Sequence, residues 1–276
     1  MVSKHGGYCY GVQRALKIAC EAARGSEGPV HTLGPIIHNP GVVRELAATG
    51  VSSVDSLAGA AGTIIFRTHG VTPQVAAEAE ARGLKIVDAT CPYVKVAQQK
   101  ASSLKERRYL PVILGEHEHP EVVALIANAG AGAIVVERAE ELDLARVRGK
   151  KVGVVVQTTQ ASANLSALAG RLAPACRELL VYNTICNATR KCQEEALELA
   201  LLADAVIIIG GRNSANTARL AKLCREVQQR TFHIEEVSEL EAGWFEEAGT
   251  VAITAGASTP PEQMEEAKRL IATLTV

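Results

Sequence analysis

The chain has 276 residues, a formal net charge of −1 at pH 7 and only 3% aromatic residues. A charge so close to neutral argues against the basic surface that nucleic acids or anionic membranes require, so we expect neither as a partner. The longest apolar stretch, 197–209, is interrupted by Glu198 and Asp204, which argues against a transmembrane helix. The N-terminus also lacks the apolar core of a signal peptide, and we therefore expect a cytoplasmic protein.

Predicted helices and strands alternate along the whole chain. Helices are predicted to follow Cys9, Cys91 and Cys186 and to follow most strands. Strands are predicted at 30–33, 63–66, 85–87, 111–114, 152–156, 179–182, 205–209 and 250–254. Such alternation is typical of right-handed βαβ units and predicts an α/β fold with mostly parallel sheets.

The order cysteine, helix, strand, polar loop, helix, strands, polar loop, helix occurs three times. It predicts three similar α/β domains at 1–91, 92–184 and 185–276. Ligands of parallel sheets bind beyond the carboxyl ends of the strands, where all six polar loops are expected. If the three domains surround a pseudo-threefold axis, these loops and the three cysteines meet in one central cavity.

Cys9, Cys91 and Cys186 each stand directly before a predicted helix, a position that favours the thiolate over the thiol. Seven cysteines, an odd number, argue against a disulfide framework. Three thiolates without a fourth leave two chemistries open: a zinc site completed by a histidine, or an iron–sulfur cluster in which one iron lacks a protein ligand.

The other four cysteines have no matching positions in the repeat. We interpret Cys20, Cys176 and Cys224 as small buried hydrophobic residues. Cys192 follows Cys186 on the same helix and is interpreted as structural, with an accessory thiol as the alternative.

Histidine, hydroxyl and amide side chains occupy the polar loops and suit a phosphate or diphosphate. The candidates for this anion site are His38, His69, His119, Ser214, Asn216 and Ser258. Glu121, in the first turn of a predicted helix, is a candidate proton donor, although an ordinary dipole-stabilised glutamate would look the same. Thr158 and Thr159 are interpreted either as a proton relay or as caps of the next helix.

Taken together, these motifs resemble those of the 4-hydroxy-3-methylbut-2-enyl diphosphate reductases, iron–sulfur enzymes of the methylerythritol phosphate route to isoprenoids. The resemblance covers essentially the whole chain. It rests on the three cysteine stretches and on Ile37-His38-Asn39, Thr68-His69-Gly70-Val71, His119-Pro120-Glu121-Val122, Gln157-Thr158-Thr159 and Asn213-Ser214-Ala215-Asn216.

The resemblance implies a pseudo-threefold trefoil around a [4Fe–4S] cluster held by Cys9, Cys91 and Cys186, with one open iron that binds the substrate hydroxyl. It also implies that Glu121 donates the proton with Thr158 and His119 beside it. Ferredoxin or flavodoxin would deliver two electrons, and the products would be isopentenyl and dimethylallyl diphosphate. The six anion-site candidates would then hold the diphosphate: His38, His69, His119, Ser214, Asn216 and Ser258.

Three features depart from the family pattern. Ala215 stands where a second serine is common, which would remove one phosphate contact. The leader before Cys9 is short and contains Gly6-Gly7, so the usual first strand is expected to be incomplete, and Tyr8 and Tyr10 flank Cys9. The alternative functions are a non-catalytic metal-containing sensor of phosphorylated ligands and an α/β binding protein with incidental cysteines.

Overall fold

The computed structural model describes residues 1–274, and these form an α/β protein. The helices are α1 (Tyr10–Gly25), α2 (Pro40–Ala48), α3 (Pro73–Ala81), α4 (Pro92–Glu106), α5 (Pro120–Ala129), α6 (Ser162–Leu172), α7 (Asn187–Leu202), α8 (Ala215–Val227) and α9 (Pro261–Leu274). The strands are β1 (Val30–Leu33), β2 (Val51–Val54), β3 (Thr63–Phe66), β4 (Lys85–Asp88), β5 (Leu110–Leu114), β6 (Ile134–Val136), β7 (Lys151–Val156), β8 (Glu178–Tyr182), β9 (Ala205–Ile209), β10 (Thr231–Ile234) and β11 (Val251–Ala255). None of the described helices has both the length and the apolar composition needed to cross a bilayer.

Within residues 1–274 the strands form three sheets whose pairings are all parallel. Their orders are β2-β1-β3-β4, β6-β5-β7-β8 and β10-β9-β11. The two four-stranded sheets therefore have the same strand order, and the third sheet repeats the first three positions of that order. This confirms the predicted α/β class with three similar parallel sheets.

The leader occupies the edge of the third sheet where the other two sheets have a fourth strand. Val2 forms a single parallel bridge with Ile253 of β11. The Ser3 N–H donates to the Ile253 carbonyl at 2.8 Å, and the Ile253 N–H donates to the Met1 carbonyl at 2.9 Å. The expected incomplete first strand is thus present as one bridge, and it belongs to the sheet formed by the end of the chain.

The chain divides into two compact units. The first contains Met1–Gln13, Ile37–Val42 and the residues from Asn187 onward, and it holds the sheet of β9, β10 and β11. The second contains Arg14–Ile36 and Val43–Cys186, and it holds both four-stranded sheets. The domain boundaries after residues 91 and 184 stay a prediction.

Both faces of the central strands are buried, as their near-continuous apolar runs predict. Along β7, Val154 and Val156 pack on one face with Leu168 of α6, whereas Val155 packs on the other face with Leu104 of α4. Burying one such aliphatic side chain stabilises the fold by about 1.5–3 kcal/mol. These cores fix the strand ends from which the polar loops begin.

All eight predicted strands are present, but the sequence interpretation missed β2, β6 and β10. Each missed strand has three or four residues and lies at an edge of its sheet, directly after the second helix of its repeat. An edge strand buries fewer residues than a central one; in β2, for example, Ser52 and Ser53 are exposed. Such strands carry no apolar run long enough to be recognised from sequence.

Candidate active site

The three predicted ligand cysteines share one backbone setting. The N–H of each cysteine donates to the carbonyl of the second residue after a central strand, in a loop that follows β11, β3 or β7. The pairs are Cys9 with Ala257 at 3.2 Å, Cys91 with Thr68 at 3.0 Å and Cys186 with Thr158 at 2.9 Å. The threefold repeat inferred from sequence therefore extends to individual hydrogen bonds.

These three cysteines form no disulfide and lie at partly exposed helix starts. Cys91 is the N-cap residue of α4, and its carbonyl accepts the Lys95 N–H at 3.0 Å. The Cys9 carbonyl accepts the Gln13 N–H at 3.0 Å in the same way, and Cys186 directly precedes α7. A thiol at such a helix start is accessible and lies at the positive end of the helix dipole, as a metal ligand requires.

Cys192 and Cys224 are buried, as their interpretation as structural residues predicts. Burial raises the pKa of Cys192 to about 12 and that of Cys224 to about 11, so both remain protonated at neutral pH. Cys20 and Cys176 are only partly buried, and Cys176 packs against the core around β7. The interpretation as buried hydrophobic residues is thus correct for Cys224 and too strong for Cys20 and Cys176, which keep part of their surface exposed.

Glu121 is 1% exposed, and both of its carboxyl oxygens contact Thr158. Oε1 accepts the Thr158 N–H at 2.7 Å, and the Thr158 hydroxyl donates to Oε2 at 2.8 Å. The carbonyl of the same threonine accepts the N–H of Cys186. A single residue therefore joins the buried carboxyl group to a predicted metal ligand.

This geometry decides between the two interpretations of Thr158. The next helix, α6, begins at Ser162 with Ala161 as its N-cap, so Thr158 does not cap it. Its hydroxyl is instead committed to Glu121. The capping interpretation is therefore wrong, and the carboxyl–hydroxyl pair has the composition of a proton relay.

His119 is the N-cap residue of α5, and its ring Nδ1 accepts the Glu121 N–H at 3.2 Å. Because a backbone N–H can only donate, Nδ1 is the acceptor nitrogen, and a neutral ring then carries its proton on Nε2. The His119 ring meets the His69 ring edge to face, with centroids 5.2 Å apart. The structure thus brings together two of the histidines predicted to bind an anion.

In the first unit, the start of α8 presents the predicted polar side chains of the 210–216 loop. Ser214 is the N-cap residue, and its Oγ accepts the Thr217 N–H at 3.4 Å. Asn216 is buried, yet its Nδ2 has no hydrogen-bond partner among residues 1–274. A buried amide donor without a partner is costly, and an anionic ligand would satisfy it.

Ser258 is joined to the loop that carries His38. The Ser258 hydroxyl donates to the His38 carbonyl at 3.4 Å, and the Ser258 carbonyl accepts the Asn39 Nδ2 at 3.1 Å. A Cβ atom at Gly211 would lie 2.5 Å from the His38 carbonyl, so only glycine permits this approach. Sequence reasoning did not assign a role to Asn39, although asparagine before a helix-initiating proline is a recognisable capping signal.

The polar residues occupy two repeated positions after the central strands. The fifth residue after β1, β5 and β9 is His38, His119 or Ser214 respectively. The third residue after β3, β7 and β11 is His69, Thr159 or Ser258 respectively. Parallel strands align these positions at the carboxyl edge of each sheet, which is where α/β proteins bind their ligands.

Comparison with known proteins adds independent evidence. Residues 1–272 match the LytB protein family. The chain belongs to this family. A curated relative from Pelobacter propionicus, named 4-hydroxy-3-methylbut-2-enyl diphosphate reductase, is 46% identical over 96% of this chain and 95% of its own length. A relative of the same name from Aquifex aeolicus is 42% identical over 98% of this chain and 95% of its own length.

Solved structures give the same result for this LytB family member. One, described as (E)-4-hydroxy-3-methyl-but-2-enyl diphosphate reductase, the terminal enzyme of the non-mevalonate pathway, is 40% identical with a TM-score of 0.72 and covers 99% of this chain and 98% of that one. A Plasmodium falciparum E-1-hydroxy-2-methyl-but-2-enyl-4-diphosphate reductase is 24% identical with a TM-score of 0.89 and covers 98% and 86%, which shows the shared fold.

The predicted site residues of this LytB family member fall into two sets, one in each unit. The second unit contains the predicted proton donor, two predicted metal ligands and two of the histidines: His69, Cys91, His119, Glu121, Thr158 and Cys186. The first unit contains the other predicted site residues: Cys9, His38, Ser214, Asn216 and Ser258.

Proposed function

We propose that this chain is a 4-hydroxy-3-methylbut-2-enyl diphosphate reductase, which removes the allylic hydroxyl reductively and forms isopentenyl and dimethylallyl diphosphate. Membership of the LytB family and the reductase names of relatives at 42–46% identity support the activity. The observation in the structure that carries the proposal is the buried Glu121–Thr158 pair bound to the backbone of Cys186. It sets a proton source beside a predicted metal ligand.

We infer that the cofactor is a [4Fe–4S] cluster held by Cys9, Cys91 and Cys186. The donor set fits, because three partly exposed thiols outside disulfides, all with the same backbone setting, would leave one of four irons without a protein ligand. When bound, such a cluster supplies single electrons and a Lewis-acidic iron for the substrate hydroxyl. An external ferredoxin or flavodoxin in the cytoplasm is the proposed electron source.

The proposed arrangement is a trefoil of domains 1–91, 92–184 and 185–276 around a central cavity. The polar loops that follow the strands would supply the ligands of the diphosphate. Three features support this role: the unsatisfied Asn216 amide, the Nε2 donor of His119 and the helix starts behind both residues. The proposed diphosphate ligands are His38, His69, His119, Ser214, Asn216 and Ser258.

Turnover consumes two electrons and two protons: one proton leaves with the hydroxyl as water, and the other is added to carbon. In the resting geometry the Thr158 hydroxyl donates to Glu121 Oε2. In our proposal this hydrogen bond reverses when Glu121 is protonated: Oε2 donates its proton to the Thr158 oxygen, and the Thr158 hydroxyl passes its own proton to the substrate hydroxyl. Burial of Glu121 keeps bulk water from this proton, so the proposed route runs through Thr158.

Turnover by anaerobically reconstituted protein tests the proposal. The protein is incubated with dithionite, methyl viologen and 4-hydroxy-3-methylbut-2-enyl diphosphate, and we expect both isopentenyl and dimethylallyl diphosphate. Dimethylallyl diphosphate, which lacks the hydroxyl, serves as the unreactive control. If the substrate binds to protein of confirmed iron content and is recovered unchanged, the sensor alternative is correct instead.

A further inference from the structure

We propose that Glu195 on α7 is a positioning residue for Cys9. Its carboxylate binds the leader residues Ser3, Lys4 and His5 and thereby fixes the segment that ends at Cys9. This inference rests on the proposed function to the extent that Cys9 is a cluster ligand, whereas the geometry of the leader does not depend on it.

The Glu195 carboxylate is surrounded by donors from the leader. Oε1 accepts the Lys4 N–H at 2.9 Å, and Oε2 accepts both the His5 N–H at 2.8 Å and the Ser3 hydroxyl. The Ser3 hydroxyl in turn accepts the Gly6 N–H at 2.8 Å. Residues 3–6 therefore surround one carboxylate. A neutral side chain in place of Glu195 would bind these N–H and O–H donors less strongly.

These bonds replace contacts that the other two cysteines receive from a β-ladder. The strand leading to Cys91 is β4, which pairs with β3 at four positions, and the strand leading to Cys186 is β8, which pairs with β7 at five. The leader before Cys9 has one bridge, at Val2, and a longer bond from the Gly7 N–H to the Ala255 carbonyl at 3.4 Å. The Glu195 contacts lie between these two points, at residues 3–5.

The path from Glu195 to Cys9 is short and tightly constrained. Gly7 has a φ of +87°, which an L side chain rarely adopts, and a Cβ at Gly6 would lie 2.8 Å from the backbone nitrogen of Ala255. The N–H of Cys9 then bonds to Ala257. The close fit of residues 6–9 against β11 and the loop after it therefore couples the position of the leader at Glu195 to that of Cys9.

Helix α7 is a firm base for this contact. Cys192, one turn before Glu195, is buried with its Sγ 3.7 Å from the Ala255 carbonyl. Although burial raises the pKa of Glu195, the bonds from Ser3, Lys4 and His5 outweigh it and lower that pKa, so the group is a carboxylate at neutral pH. The same helix begins directly after Cys186. Helix α7 therefore follows one predicted cluster ligand and, through Glu195, binds the segment that ends at another.

The test compares Glu195→Gln with Glu194→Gln, whose parent side chain is exposed and pairs only with Arg190 at 3.0 Å. In apo protein, the alkylation rate of Cys9 by iodoacetamide, followed by mass spectrometry, should rise about tenfold in Glu195→Gln and stay unchanged in Glu194→Gln. Hydrogen exchange at residues 3–8 should accelerate in parallel. In reconstituted protein, iron should be lost faster and the electron paramagnetic resonance signal of the reduced protein should change.

A second pair of variants separates positioning from a loss of folding. Ser3→Ala removes one donor and should give a smaller increase in Cys9 alkylation, whereas Ser3→Thr keeps the hydroxyl and should restore the wild-type rate. Circular dichroism checks the fold of each variant. Wild-type alkylation and iron retention in both Glu195→Gln and Ser3→Ala would overturn the inference. A wild-type protein without iron would instead refute the proposed cluster, while the alkylation difference in apo protein would still support the positioning role.

Discussion

The second and third repeats place chemically different side chains at the same backbone positions. His119 and Ser214 both cap their helices, and two residues later Glu121 and Asn216 are both buried. The carboxyl oxygens of Glu121 are satisfied by Thr158, whereas the Asn216 Nδ2 has no partner within residues 1–274. The protein therefore satisfies the Glu121 carboxyl group by itself, whereas the Asn216 amide is where our proposal places a ligand.

The second residue after the second central strand also differs between these two repeats. Thr158 supplies an N–H and a hydroxyl to Glu121, but the equivalent residue in the third repeat is Ala257, which has no hydroxyl. Both residues still accept the N–H of a cysteine. The backbone setting of the predicted metal ligands is thus repeated, whereas the side chain that would support the proposed acid is present in the second repeat and absent from the third.

Replacing Glu121 with glutamine should change turnover more than any other substitution in these two repeats. Glutamine keeps the shape and the acceptor oxygen but removes the transferable proton, so we expect turnover to fall by about 10²–10⁴-fold. Iron content should match wild type, because no ligand is lost. Steady-state turnover near the wild-type rate would exclude Glu121 as the acid.

Asn216→Ala tests the opposite role, that of a ligand-binding amide. Loss of a hydrogen bond to a charged ligand costs about 1.5–3 kcal/mol, so KM for the diphosphate substrate should rise by roughly 10–100-fold. Asn213, an exposed neighbour in the same loop, provides the control variant Asn213→Ala, which should leave KM unchanged. Equal KM values in the two variants would show that the buried amide does not bind substrate.

Thr158→Val asks how much of the acid function depends on the hydroxyl. The variant keeps the backbone N–H to Glu121 Oε1 and loses the donor to Oε2, so we expect turnover to fall about tenfold. Thr158→Ser retains the hydroxyl and should recover most of the activity. If valine and serine give the same rate, the hydroxyl has no part in the reaction.

Ala215→Ser should give the smallest change. A hydroxyl at the first residue of α8 would add one donor beside Ser214 and Asn216, so KM should fall by about two- to threefold, the effect of a single neutral hydrogen bond. The measurement is KM under the conditions used for Asn216→Ala. An increased KM would mean that serine at this position disturbs the start of the helix instead.

The sequence was sufficient to predict the central strands and the helices that follow the three cysteines, because these follow from buried apolar runs and from the turn residues beside them. It did not reveal the pairing of Val2 with Ile253, which joins opposite ends of the chain. Nor did it distinguish Glu195 from Glu194 and Glu198, since acidic residues in a helix look alike until the fold shows which one meets the leader. The edge strands β2, β6 and β10 were missed for lack of an apolar run.

Iron and acid-labile sulfide analysis of anaerobically prepared protein, combined with electron paramagnetic resonance with and without substrate, tests the central claim most directly. The account predicts about four irons and four sulfides per chain, together with a signal in the reduced protein that changes when the diphosphate is added. A colourless protein without iron after anaerobic reconstitution, or one that retains only zinc, would contradict it.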